Sequence, residues 1–208
     1  ALMGQDFQRN EAGQMIIGAN GIPLRNDNRE FLGSAIADFA GGVRNSFRWR
    51  GLVASALVDF QGGGVIHSTS LQWAKYSGML PETAEGNIRE EGMIIEGVQE
   101  DGTTNTVAVD PAIYYQTIWG VAAPNVYAAD FIKLRELSFG YTLPQRLLGR
   151  MPFHDVNISF IGRNLSILHS KLPYLDPQGV TGTGNVQGLE NAQVPTTRSL
   201  GFNVSFKL

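Results

Sequence analysis

The sequence predicts an all-β chain whose antiparallel strands build part of a transmembrane barrel wall, with long loops on one side. Three observations predict it. The final stretch alternates strictly: Leu200, Phe202, Val204, Phe206 and Leu208 against Ser199, Gly201, Asn203, Ser205 and Lys207. A period of two puts each set on its own strand face. The first set is large and apolar and the second small and polar, which suits lipid on one side and a wet lumen on the other. No run of the chain approaches the roughly 18 apolar residues of a membrane helix, so any membrane passage is by strands. Short connections alternate with very long ones along the chain.

The strands follow in order. Val43, Phe47 and Trp49 oppose Arg44, Ser46, Arg48 and Arg50. Three arginines on one face are costly in a dry core and tolerable in a watery lumen. Leu52, Ala54, Ala56, Val58 and Phe60 form the next apolar face, although Val53 and Leu57 spoil its polar side. In the segment from Phe131 to Leu143, Leu137, Phe139, Tyr141 and Leu143 lie opposite Glu136, Ser138, Gly140 and Thr142. Between Asp155 and Leu165, Val156, Ile158 and Phe160 alternate with Asp155, Asn157 and Ser159, and the pattern blurs from Ile161 onward. The strand ending the chain is the fifth.

The connections divide the chain. Arg50-Gly51 is a tight hairpin, and Pro144 and Pro152 bracket a modest turn. The segments 61–130 and 166–196 are long, and the second is rich in proline and glycine. Barrels of this kind have short periplasmic turns and longer extracellular loops. The expected organisation is an extracellular loop region at 1–38, a barrel hairpin at 39–60 and a long extracellular loop at 61–130. The last three strands then occupy 131–208, with an extracellular loop at 166–196. Five strands fall short of the about eight that close the smallest barrels, and an open edge in lipid leaves backbone groups unpaired. The expectation is therefore a C-terminal portion of a larger barrel.

Composition excludes other classes. A formal charge of −3 gives no basic footprint for nucleic acid. There is no cysteine for disulfides or thiolate sites. His67, His154 and His169 lack metal-ligand spacing, so no metal and no cofactor is expected. Gly182 and Gly184 lack the following lysine of a phosphate loop. Glu82, Glu85, Glu90, Glu91, Glu96, Glu100 and Asp101 read as solvated loop acids rather than a glycosidase pair, so no enzyme is expected. The candidates for ligand contact are Trp73, Tyr76 and Trp119 of the first long loop and Tyr174 and Asp176 of the second. Aromatic rings stack on sugar faces while polar tips fix orientation. The other use of these rings, together with Tyr114, Tyr115 and Tyr127, is packing within the loop or against a lid protein.

The segment Phe131-Ile-Lys-Leu-Arg-Glu-Leu-Ser-Phe-Gly-Tyr-Thr-Leu-Pro144 resembles a hallmark of the SusC/RagA family of TonB-linked outer-membrane transporters. Asp38-Phe-Ala-Gly-Gly42, Phe60-Gln-Gly-Gly63, Ile161-Gly-Arg-Asn-Leu165, Leu175-Asp-Pro177 and Pro195-Thr-Thr-Arg-Ser-Leu-Gly-Phe202 match in the same order. The resemblance implies the C-terminal strands of a barrel of about 22 strands, in the outer membrane of a Gram-negative cell and in contact with its lipid. It further implies a SusD-like lipoprotein partner, energy from the TonB complex through an N-terminal part, and a glycan or peptide ligand. The expected function is import of oligosaccharides or oligopeptides. The alternative is a soluble β-sandwich carbohydrate-binding module, which requires the apolar faces to converge on one dry core.

Overall fold

The computed structural model describes residues 1–149, 152, 154–182 and 184–207. The chain divides into two compact units, one formed by 37–64, 128–179 and 194–208 and the other by 1–36, 65–127 and 180–193. The first unit is a five-stranded antiparallel sheet. Its strands are β1 (Phe39–Trp49), β2 (Leu52–Gly62), β3 (Phe131–Thr142), β4 (His154–Ser170) and β5 (Ser199–Lys207). They are ordered β5-β4-β3-β2-β1, so each pairs with its neighbour in the chain.

Register turns the alternation of single strands into rows across the sheet. Phe47, Ala54, Phe139, Phe160 and Phe202 share one row, and Trp49, Leu52, Tyr141, Ile158 and Val204 share another. Both rows lie on one face, and its large side chains stay exposed. The opposite face carries the row Ser46, Ser55, Ser138, in which the Ser55 and Ser138 hydroxyls meet at 2.8 Å. An aromatic surface without a second layer over it is what a lipid-facing wall presents. A sandwich would cover those rings. Among the described residues, the main core cluster is instead drawn from the other unit. Leu208 lies outside the described residues.

The hairpin between β1 and β2 turns at Arg50 and Gly51, both with positive φ (48° and 88°). That pairing of angles suits a two-residue turn whose twist matches the strands. Arg50 therefore does not join Arg44 and Arg48 on the polar face as expected. Its guanidinium instead lies 5.1 Å from the Trp49 ring centre. The β3–β4 connection leaves from this same end, whereas the β2–β3 and β4–β5 connections leave from the opposite one.

Two irregularities explain where the pattern blurs. The register of β3 slips between Leu134 and Glu136 against both neighbours, which makes Arg135 a bulge residue. Strict alternation back from Leu137 would aim Arg135 and Lys133 at the apolar face. The extra residue inverts the parity, so both cations join Glu136 on the face of Asp59. In β4, Asn164 has φ 51° beside the same slip, and the strand continues to Ser170 instead of ending at Leu165.

The second unit is more than loop. Leu2–Phe7 pairs antiparallel with Arg25–Gly33. The longest helices described in this unit are α1 (Thr69–Tyr76) and α2 (Pro111–Thr117). Ser68 caps α1 by accepting from Leu71 N–H, and Asp110 caps α2 with Pro111 in its first turn. The core joins Phe7, Ile17 and Ile22 to Ile95, Val109, Ile118 and Val121. No helix among the described residues is long and apolar enough to cross a membrane, which says nothing of strands.

Candidate functional sites

Residues from five of the matched sequence segments, or next to them, meet in one hydrogen-bonded network on the polar face of the sheet. Lys133 Nζ donates to Asp176 Oδ2 (2.8 Å), Thr196 Oγ1 (2.8 Å) and Gln178 Oε1 (3.3 Å). Arg135 donates through Nε to Asp59 Oδ2 (2.6 Å), through Nη1 to Asn164 Oδ1 (2.8 Å) and through Nη2 to Gln178 Oε1 (2.8 Å). The Lys133 and Asp176 side chains are only 3% and 7% exposed. Burial pushes the Asp176 carboxyl up, but bonds from Lys133, Thr196 and the Gln178 N–H outweigh it and hold the group below its ordinary value. The network ties the chain on both flanks of 180–193 to the sheet.

Beside this network runs a groove of about 610 Å³, whose lining includes Lys133, Asn164, Tyr174, Asp176, Thr196 and Arg198. Two of the five sequence candidates sit in it, in different states. Tyr174 is an exposed ring on a residue with φ 62°. Asp176 is committed to Lys133 and Thr196, so its carboxylate is engaged within the protein.

The other three candidates are brought together. The Trp73 and Trp119 ring centres are 4.0 Å apart, and Tyr76 lies edge-on to both, at 5.6 and 5.4 Å. Helical spacing puts Trp73 and Tyr76 on neighbouring turns of α1. Gln72 Nε2 donates to the Trp119 carbonyl, and Lys75 Nζ donates to the Pro124 carbonyl at 2.9 Å. Burial lowers the Lys75 ammonium, with Glu82 pulling the other way. Trp73 is 53% exposed even so. A pocket of about 320 Å³ adjoins the helix, lined in part by Lys75, Thr83, Arg89, Asp110 and Tyr115.

The remaining rings pack. Tyr114 and Tyr115 stand edge to face at 5.0 Å against the core cluster. Burial and the neighbouring Tyr115 push the Tyr114 phenol up to about 12. Tyr127 lies under the Lys75 ammonium at 5.3 Å. The acids of this unit take local roles: Asp101 accepts from both the N–H and hydroxyl of Thr103, and Glu91 accepts from Asn87. No group of three His, Asp or Glu side chains among the described residues is placed to hold a metal. Burial lowers the His67 imidazole, with Glu190 opposing. His169 pairs with Ile132 in the ladder, and the side chain of His154 lies outside the described residues.

Sequence reasoning passed over two groups. Glu190, 3% exposed, accepts from the hydroxyls of Ser68 (2.5 Å) and Ser70 (2.6 Å) and from Ala192 N–H (2.8 Å), so it braces the start of α1. Nothing in the local sequence marks it. Arg44, Glu136 and Arg163 form the second group. Glu136 Oε1 accepts from Arg44 Nη1, and Oε2 from Arg163 Nε, both at 3.1 Å. The alternation put Glu136 on the same face as Arg44, but only register brings them into one row.

No family model matches the chain. A curated relative, TonB-dependent receptor P3 of Formosa agariphila, is 26% identical over 187 residues, covering 86% of this chain and 17% of its own length. The fold is similar to solved structures of the RagAB peptide importer. In its open-open state the TM-score is 0.64 at 15% identity, covering 100% of this chain and 22% of that one. In the closed-closed state it is 0.63 at 16% identity, covering 98% and 22%. The chain thus spans about a fifth of the length of the relatives it matches.

Proposed function

We propose, on the premise that sequence and fold together support the SusC/RagA family of TonB-dependent outer-membrane transporters, that residues 1–208 form a stretch of barrel wall and external loop in an importer. That importer takes up oligosaccharides or oligopeptides with a SusD-like surface lipoprotein and draws energy from TonB through a part beyond these residues. The observation that carries this reading is the two-faced sheet. One face is a continuous exposed surface of aromatic and aliphatic rows, and the other is laced with charged networks. Lipid on one side and water on the other satisfies both at once. A sandwich module has no use for the first face.

In this reading 1–38, 61–130 and 166–196 lie outside the cell, and the hairpin of 39–60 and the three strands within 131–208 supply the wall. Trp73, Tyr76 and Trp119 form a stacking surface for ligand, and Tyr174 contributes a ring at the groove. Asp176 acts by holding the groove's wall rather than by touching ligand.

The test is to isolate outer membranes from the native cells, resolve the intact polypeptide on a denaturing gel and map its peptides. The expected result is an outer-membrane polypeptide several times longer that contains these 208 residues. A self-sufficient protein of 22.6 kDa in the soluble fraction refutes the proposal. For the loop residues, Trp73→Ala and Trp119→Ala in the intact transporter should weaken ligand capture while leaving barrel assembly unchanged.

A further inference from the structure

We infer that Arg44, Glu136 and Arg163 form a recognition point for a carboxylate carried by passing cargo, an inference that rests on the importer reading above. The three residues are far apart in sequence and come together through register alone. Arg44 pairs with Leu57, Leu57 with Glu136, and Glu136 with Arg163, so one row crosses β1, β2, β3 and β4. Arg44 reaches past Leu57, and the two guanidiniums converge on the two oxygens of one carboxylate.

The charge balance sets this row apart from its neighbours. Lys133 and Arg135 on the same face are each matched by an acid, Asp176 and Asp59. Here two arginines share a single acid, which leaves a surplus of one positive charge. Arg48 lies on the same face of β1 two positions beyond Ser46, and no hydrogen bond or ion pair takes its guanidinium among the described residues. The surplus of this face therefore includes Arg44, Arg48 and Arg163.

Geometry keeps that surplus available. The Arg44 and Arg163 side chains are 51% and 61% exposed, whereas Glu136 between them is 18% exposed. Each guanidinium carries five N–H donors, and Glu136 takes one from each. The acid sets the spacing and orientation of two forks whose remaining donors face the lumen. Paired forks of this kind suit a planar carboxylate, which accepts parallel charge-assisted bonds. A passage lined by one sign of charge also concentrates oppositely charged solutes.

A carboxylate reaches such a site from two sources: a uronic-acid oligosaccharide or an acidic oligopeptide. The experiment measures equilibrium binding to the purified intact transporter at low salt, using two matched pairs of probes. One pair is oligogalacturonate and its methyl ester, and the other is an aspartate-glycine oligopeptide and its asparagine counterpart. The expected result is that at least one charged probe binds about tenfold more tightly than its neutral partner, the scale of one bond to a charged group. That gap should close in Arg44→Gln and Arg163→Gln and at high salt, and the pair that shows it identifies the source.

Three results overturn the inference: equal binding within both pairs, failure of both charged probes to bind, or equal losses for charged and neutral probes in the variants. In the last case the row braces the wall or seats another segment of the protein. Unchanged heat-modifiable gel mobility confirms that each variant folds. The importer reading is judged separately, by the size and membrane residence of the wild-type polypeptide, so the two can fail independently.

Discussion

Replacing Lys133 by methionine should release the chain around Asp176 from the sheet. The substitution keeps most of the length of the side chain and removes its charge. It strips the main partner from a carboxylate that is 7% exposed, breaking a 2.8 Å ion pair. Breaking a buried pair by removing one member costs about 3–5 kcal/mol, because the other charge is left buried. Asp176 still accepts from Gln178 N–H at 3.1 Å and from the Thr196 hydroxyl, which favours the lower end, about 3 kcal/mol. At about 1.4 kcal/mol per tenfold, that is roughly a hundredfold rise in the open population of 171–179. Hydrogen exchange in the intact protein in detergent reads this directly, with the Gln178 amide as reporter. The double variant Lys133→Met/Asp176→Leu removes both charges, and an apolar replacement of a buried pair is often neutral or better. Its exchange should fall within about tenfold of wild type. Acidity supplies an independent check. The Asp176 carboxyl titrates below its ordinary 3.8 in the folded protein. The linked stability is therefore present above that value and lost as pH falls through the folded-state value. Protection should stay flat from neutral pH to about 4 and fall steeply below it. If the single variant exchanges like wild type, or the double variant is as open as the single, the buried pair does not hold this segment.

Other outcomes test the rest of the structure. Phe202→Arg puts a charge on the aromatic face and should cost about 2–4 kcal/mol near the bilayer midplane. Asn203→Arg, one residue on and facing the lumen, should cost far less, and the folded fraction by heat-modifiable mobility compares the two. Gly51→Val forces a branched residue to φ 88° and puts its Cβ 2.8 Å from the Thr142 carbonyl oxygen. A cost of ~1–3 kcal/mol should show as a lower yield of folded barrel. Glu190→Ala strands buried donors at the start of α1, at about 1–3 kcal/mol. The coupled indole signal of Trp73 and Trp119 in circular dichroism should weaken with it, and an unchanged signal refutes the bracing role.

Much of the wall was legible because alternation is a local property. Phe47, Phe139, Ile158, Phe160, Phe202 and Val204 take the faces that their neighbours in sequence assign them. The tight turn at Arg50-Gly51 was legible too, since two alternating runs abut there and Gly51 accepts a positive φ without strain. The same locality misplaced Arg50, which the alternation carried onto the strand face although the chain is already turning there. It also failed at Ile161-Gly162-Arg163-Asn164-Leu165. There an irregularity in one strand answers the bulge in another, and no window along a single strand contains both. Helix α1 was hidden for a simpler reason: its eight residues are too few for a helical period to stand out within a long connection.

The candidate sites divide in the same way. That Trp73 and Tyr76 are neighbours follows from helical spacing once a helix is granted. That Trp119 joins them depends on the core that draws Phe7, Ile17, Ile95, Val109 and Ile118 together from distant segments. By itself the sequence determined which side chains are compatible with lipid and which need water, since that is a property of each residue and its parity. Only the tertiary structure decided which charges meet. Arg135 and Lys133 reach the polar face because one extra residue inverts the parity of β3, and Arg44, Glu136 and Arg163 align because three strand pairings share a register. Parity is written along one strand, whereas register is a relation between strands that no single strand specifies.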